Sequence, residues 1–177
     1  MITREYCRTM ARYNRWMNRK LYELCAGLSD EERKRDAGAF FKSVHGTLNH
    51  LLLADRIWMG RFTGKPYPAT SLDQEVCADF AELRTEREKE DANIVTWADA
   101  LTDEDLVREL AFVSIVNPKP CRAAFAPCVA HFFNHQTHHR GQLTTLLMQR
   151  GIDPGVTDLF AMPELQPPLQ RQPGRPA

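Results

Sequence analysis

Four stretches of this chain place apolar residues three and four positions apart, and that spacing constrains the fold more than any other feature. On an α-helix such residues share one face, whereas a strand would alternate them between faces. Tyr6, Met10, Tyr13, Met17, Leu21 and Leu24 mark a helix over 3–27, which Gly27 can terminate. Phe41, Val44, Leu48, Leu51, Asp55, Trp58 and Phe62 mark a second over 39–62, closed by the glycine and prolines of "TGKPYPAT". Ser71 and Gln74 have capping-box spacing for a third helix, running to Leu101 through Val76, Phe80, Leu83, Ile94 and Trp97. The middle of this helix, "RTEREKED", reads as a solvated face. Pro127 suits the first turn of a fourth helix ending at Arg150, with Gly151 just past its end.

The segments between these helices are short. "SDEE" offers a capping box, Ser29 with Glu32, and "TDEDL" starts another single turn. Over 107–125, "LAFVSIV" and "CRAAF" flank the turn signal "NPKP", which predicts a two-stranded hairpin. Amphipathic helices this long bury their stripes against one another. The expected fold is therefore all-α, a four-helix bundle over 1–160 with a short β-hairpin before the last long helix. Residues 161–177 read as a proline-rich, extended tail.

Charge removes several classes of partner. Lys+Arg and Asp+Glu both total 23, so the chain lacks the basic excess of a nucleic-acid or anionic-membrane binder. No apolar run approaches the roughly 20 residues of a membrane span, and the charged N-terminus has no signal-peptide core. The five cysteines are odd in number and never form C-x-x-C, which fits reduced thiols and a cytoplasmic location.

Chemistry concentrates in "HFFNHQTHHR", residues 131–140, which holds four of the six histidines. Residues four apart on a helix differ by about 40° and 6 Å, so two such imidazoles can share one ion. His131–His135, His135–His138 and His135–His139 are all workable pairs, and His135 belongs to each. A catalytic zinc typically takes three protein ligands and leaves one position open. The other histidines, His45 and His50, are about 140° apart on the second helix and cannot point to one spot. His50 lies mid-helix, at the depth of His135 and His139, and is the natural third ligand. Cys128 lies about 10 Å along the axis from His135, too far to join it.

"HGTLNHLLLADRIWMGRF" (45–62), "NHQTHHRGQ" (134–142) and "YNRWMN" (13–18) together resemble motifs of the DinB/YfiT-like family of metal-dependent enzymes. The resemblance covers about residues 3–160 and implies a four-helix bundle holding a divalent metal, nickel or zinc, on three histidines. Matched position by position, these are His50, His135 and His139. It also implies a homodimer. Such an ion would acidify a bound water or a substrate thiol. The expected activity is thiol transfer, with a low-molecular-weight thiol as partner, or hydrolysis. The competing reading is a non-enzymatic, stress-associated metal-binding or interaction protein.

Groups around the ligands should orient them, and Asn49, Asp55 and Gln142 are the candidates. Asp55 interrupts an apolar stripe and needs a partner, which Arg56, Arg140 or a tyrosine could supply. Arg140, beside His139, is the candidate for holding an anionic substrate.

Overall fold

A computed structural model describes residues 2–115 and 118–166. Six helices and one hairpin follow in the order α1 (Arg4–Ala26), α2 (Asp30–Lys34), α3 (Val44–Thr63), α4 (Phe80–Ala100), α5 (Asp103–Val107), β1 (Glu109–Val113), β2 (Pro120–Ala124) and α6 (Phe125–Met148). The four long helices form a ring in which α1 packs on α4 and α6, and α3 packs on the same two. The bundle expected from spacing is therefore present, and so is the hairpin. β1 and β2 pair antiparallel from Glu109 opposite Ala124 to Val113 opposite Pro120. Part of the "NPKP" turn signal falls on residues outside the described set. No described helix is long and apolar enough to cross a membrane.

Local chemistry explains where the helices begin. Thr3 caps α1 by accepting from the Tyr6 amide at 3.1 Å. Ser29 and Glu32 form the expected capping box at α2, and Thr102 and Asp105 form one at α5. The second long helix starts at Val44, five residues later than the stripe suggested. Lys42 sits in the left-handed region at φ 64°, and the Ser43 side chain caps the Gly46 amide at 3.0 Å. Phe41 continues the apolar spacing but lies in the tight turn before the helix.

The third long helix starts at Phe80, not near Ser71. Asp79 caps it, and the Gln74 amide oxygen accepts from the Thr70 backbone at 2.9 Å instead of closing a box with Ser71. The fourth begins at Phe125, whose amide donates at 3.0 Å to the carbonyl of Arg108, the residue between α5 and β1. Gly151 adopts φ 74° just past α6, as its position predicted.

Helix α3 is the most enclosed element, with buried residues on every side, including Leu48, Leu52, Leu53 and Phe62. A helix apolar all round belongs in a core. Each fully buried Leu or Phe contributes roughly 1.5–3 kcal/mol. The segment after α6 is not loose at its start. Met162 is 1% exposed and sits in the core, and the Tyr13 hydroxyl donates to the Thr157 carbonyl at 2.6 Å. Residues 163–165 form a 3-10 turn, and the rest of the expected tail, 167–177, lies outside the described residues.

The charged stretch of α4 corrects the reading of a wholly solvated face. Arg87 is 2% exposed, and Glu90 and Asp91 are also buried. Arg87 Nη1 donates to Asp55 Oδ2 at 2.7 Å, and its Nη2 pairs with Asp91 at 3.0 Å. Asn18 of α1 donates to Asp91 at 2.8 Å, and Gln136 of α6 donates to Asp55 Oδ1. All four bundle helices meet in this one polar cluster. Removing one partner from such a cluster leaves uncompensated buried charge. Arg87→Ala is expected to lower unfolding free energy by about 3–5 kcal/mol, read by urea denaturation. A loss below about 1 kcal/mol would show that the cluster contributes little.

Candidate metal centre

Helix α3 carries His50, and α6 carries His135 and His139 one turn apart. The packing of α3 on α6 brings the three rings together. Nε2 of His50 stands 3.2 Å from Nε2 of His135, and one nitrogen from each of the three rings lies within 4.8 Å of the others. Two imidazole nitrogens bound at about 2.0–2.1 Å to one tetrahedral ion stand about 3.3 Å apart, so the His50–His135 spacing fits. Ring centroids are 5.1 Å apart for His50–His135, 4.6 Å for His50–His139 and 4.3 Å for His135–His139. No carboxylate or thiol belongs to this cluster among the described residues.

Two of the rings are oriented from outside. His50 Nδ1 lies 2.8 Å from the Leu72 carbonyl, which can only accept, so Nδ1 carries the proton and Nε2 keeps its lone pair. His139 Nδ1 lies 2.7 Å from the Gln142 side-chain oxygen, with the same consequence. Gln142 thus has the orienting position expected of it. Burial lowers the His50 pKa to about 4, against the opposing Leu72 bond. Burial, together with the neighbouring imidazoles, lowers that of His135 to about 3. His139 is also lowered, chiefly by burial. All three are neutral at pH 7, the form a metal requires.

The remaining predicted residues have other places. Asn49 orients no ligand directly. Its side-chain oxygen accepts from the Val76 and Cys77 amides at 2.7 and 2.9 Å. His45 Nε2 lies 3.1 Å from the Cys77 carbonyl. Together they pin the loop between α3 and α4 that delivers the Leu72 carbonyl. Asp55 and Arg140 are buried in the polar core and not brought to the three rings. Arg140 Nη1 donates to Gln136 at 3.3 Å, and its guanidinium lies 5.1 Å from the Tyr13 ring. At 2% exposure, Arg140 offers no face to a substrate. Cys128 does not join the cluster either.

Two features of the centre had no signal in the spacing. Leu72 acts through its backbone, which any residue type carries. Phe41 packs its ring against His50, with centroids 3.7 Å apart and planes 16° from parallel, and stands edge-on to His139 at 5.5 Å. Its backbone is seated by Gly46, because a Cβ there would overlap the Phe41 carbonyl. Phe41 also lines a cleft of about 400 Å³ with Phe40, Lys42, His45 and Asn49. It therefore borders both the three rings and a space able to take a small ligand.

A helical bundle whose late and early helices converge three imidazoles in this way defines a class of three-histidine bundle proteins. The family model of the DinB family matches residues 1–174, and the chain belongs to that family. It is 26% identical to Protein DinB of Bacillus subtilis (strain 168) over 152 residues, covering 82% of this chain and 87% of that one. In solved structures it is similar to YfiT from Bacillus subtilis, described as "a probable metal-dependent hydrolase with an unusual four-helix bundle topology". That likeness has a TM-score of 0.64 at 15% identity, over 86% of this chain and 92% of YfiT, and speaks to the fold.

The depressed imidazole pKa values carry a sign. An unfolded histidine titrates near pH 6.5, so below that pH the unfolded chain takes up protons that the folded centre refuses. The contribution of the three imidazoles to the stability of the metal-free protein should be level above about pH 7 and be lost as pH drops from about 6.5 toward about 4, the value for His50. His135→Ala removes one of these contributions and should give a shallower fall in urea denaturation between neutral and mildly acidic pH. Parallel curves for the two proteins would contradict it.

Proposed function

We propose that this chain is a divalent-metal-dependent enzyme that activates a nucleophile at the centre formed by His50, His135 and His139. One observation carries the reading: three imidazole donors from two helices lie within 4.8 Å of one another, with two of the rings held in the ligating tautomer. A divalent ion bound there supplies Lewis-acid polarisation and lowers the pKa of a nucleophile that binds it. Nitrogen donors of this kind suit zinc and nickel alike.

The residues of the chain perform the supporting tasks. Leu72 and Gln142 hold the Nδ1 protons of His50 and His139, which aims each Nε2 inward. Phe41 covers one side of His50 and keeps water from that face. Three neutral ligands leave the full positive charge of the ion for substrate, which favours an anionic nucleophile. Hydrolysis is supported by the description of YfiT. Thiol transfer is the second reading, favoured because no carboxylate base joins the three histidines among the described residues. A thiolate attacks without a base to deprotonate it, whereas water gains from one.

Metal analysis of the purified protein tests the reading. About one divalent ion per chain is expected, lost almost wholly in His50→Ala, His135→Ala and His139→Ala, because each variant removes one of three ligands. Chelation should abolish turnover of the best substrate from a screen of thiol-acceptor pairs, esters and amides, while the helical circular-dichroism signal persists. A metal-free protein, or metal retained by all three variants, sinks the proposal. Helix loss on chelation would assign the ion a structural role.

A further inference from the structure

The seam between α1 and α4 lies across the bundle from the seam of α3 and α6 that carries the three histidines. A cavity of about 170 Å³ opens along it, bordered by Arg15, Arg19 and Tyr22 of α1 and by Arg84 and Arg87 of α4. Helical spacing gathers these groups. Arg15, Arg19 and Tyr22 follow one another at four and three residues and share a face of α1, and Arg84 and Arg87 stand three apart on α4.

The floor of the cavity holds donors that lack an acceptor. Tyr22 is 3% exposed, and its hydroxyl has no hydrogen-bond partner. Nε of Arg87, a group that can only donate, is buried and unpartnered as well. Burial pushes the Tyr22 hydroxyl above the ordinary phenol range, so it keeps its proton and is also free to donate. The Phe80 ring stacks on Tyr22, with centroids 5.8 Å apart and planes 19° from parallel, and holds the phenol in place. Buried donors without partners are costly, and an acceptor in the cavity would remove that cost.

The rim adds positive charge. Two carboxylates also border the cavity, and both are engaged. Glu88 accepts from Arg84 at 3.2 Å, while Asp91 accepts from Asn18 at 2.8 Å and pairs with Arg87 at 3.0 Å. Arg15 and Arg19 are exposed and form no ion pair among the described residues, although Arg15 acts on Asp91 at longer range. They are the two charges at the cavity that no carboxylate answers. A water molecule can satisfy the floor, but it leaves this rim charge unmatched.

We infer that the cavity between α1 and α4 is a binding site for a small oxyanion, phosphate or a small carboxylate. Tyr22 and Nε of Arg87 hold it from the floor, and Arg15 and Arg19 hold it from the rim. A void of about 150 Å³ takes a benzene ring, so phosphate and a carboxylate of benzoate size both fit. The site is separate from the three-histidine centre and does not depend on a metal there.

The test is calorimetric titration of the full-length protein with phosphate, benzoate and neutral benzamide at constant ionic strength. Phosphate, benzoate or both should bind saturably at one per chain, and benzamide should not bind. Whichever ion binds more tightly identifies the head group. Tyr22→Phe should weaken that ion about tenfold, the loss of one charge-assisted hydrogen bond. The same variant without the ion should be at least as stable to urea as wild type, because the hydroxyl it deletes has no partner there. Arg15→Gln combined with Arg19→Gln, both at the surface, should also weaken the ion by about tenfold or more. Absence of saturable binding by either ion, equal binding of benzoate and benzamide, or wild-type affinity in either variant overturns the site. So does a loss of stability in ion-free Tyr22→Phe, since the hydroxyl would then already have its partner.

Discussion

A carboxylate survives in the middle of a helix bundle only beside a cation, and Asp55 meets that condition through Arg87. The pair sets more than charge balance. Asp55 stands five residues after His50 on α3, and Gln136 stands one after His135 on α6. The hydrogen bond between Gln136 and Asp55 therefore fixes the relative height of the two helices that carry the three imidazoles. Burial pushes the Asp55 carboxyl above its usual range and Arg87 opposes that shift, so the carboxylate depends on α4 staying in place. A slip of α6 by one turn along α3 would separate this bond and the His50–His135 approach together. Buried polar groups at a helix seam are best understood as such register devices.

Much of this is legible in the sequence. Helical spacing predicts the bundle, the turn chemistry of "NPKP" predicts the hairpin, spacing and depth point to His135 with His50, and the resemblance to the DinB/YfiT-like family completes the set with His139. Those signals are periodic, and periodicity survives in a one-dimensional string. What escaped was the direction of charge and the start of helices. The run from Arg84 to Asp91 reads the same whether it faces water or core, and only its neighbour Asp55 betrays the inward side of Arg87. Phe41 kept perfect helical spacing with Val44, yet Lys42 in the left-handed region and the Ser43 cap place it outside the helix. Arg140 looked available beside His139, but residues adjacent on a helix point about 100° apart, and that turn carries Arg140 into the core.

The centre combines rigid and local sources of order. Its three histidines stand on long helices, so their backbone positions are fixed by the same packing that holds the fold. Their ring orientations come from nearby chain segments: the Leu72 carbonyl, anchored through Asn49 and His45, and the Gln142 amide one turn along α6. Division of labour of this kind keeps the donors preorganised, so an incoming ion has little rearrangement to drive.

Gly46 has a consequence for how this site can diversify over evolutionary time. Since no side chain fits between α3 and the Phe41 carbonyl, the turn carrying Phe41 can neither be displaced outward by a bulkier neighbour nor be reshaped one mutation at a time from within the helix. Variation beside the three histidines is thereby channelled into the choice of ring or aliphatic group at position 41 itself, while the path of the chain there stays frozen.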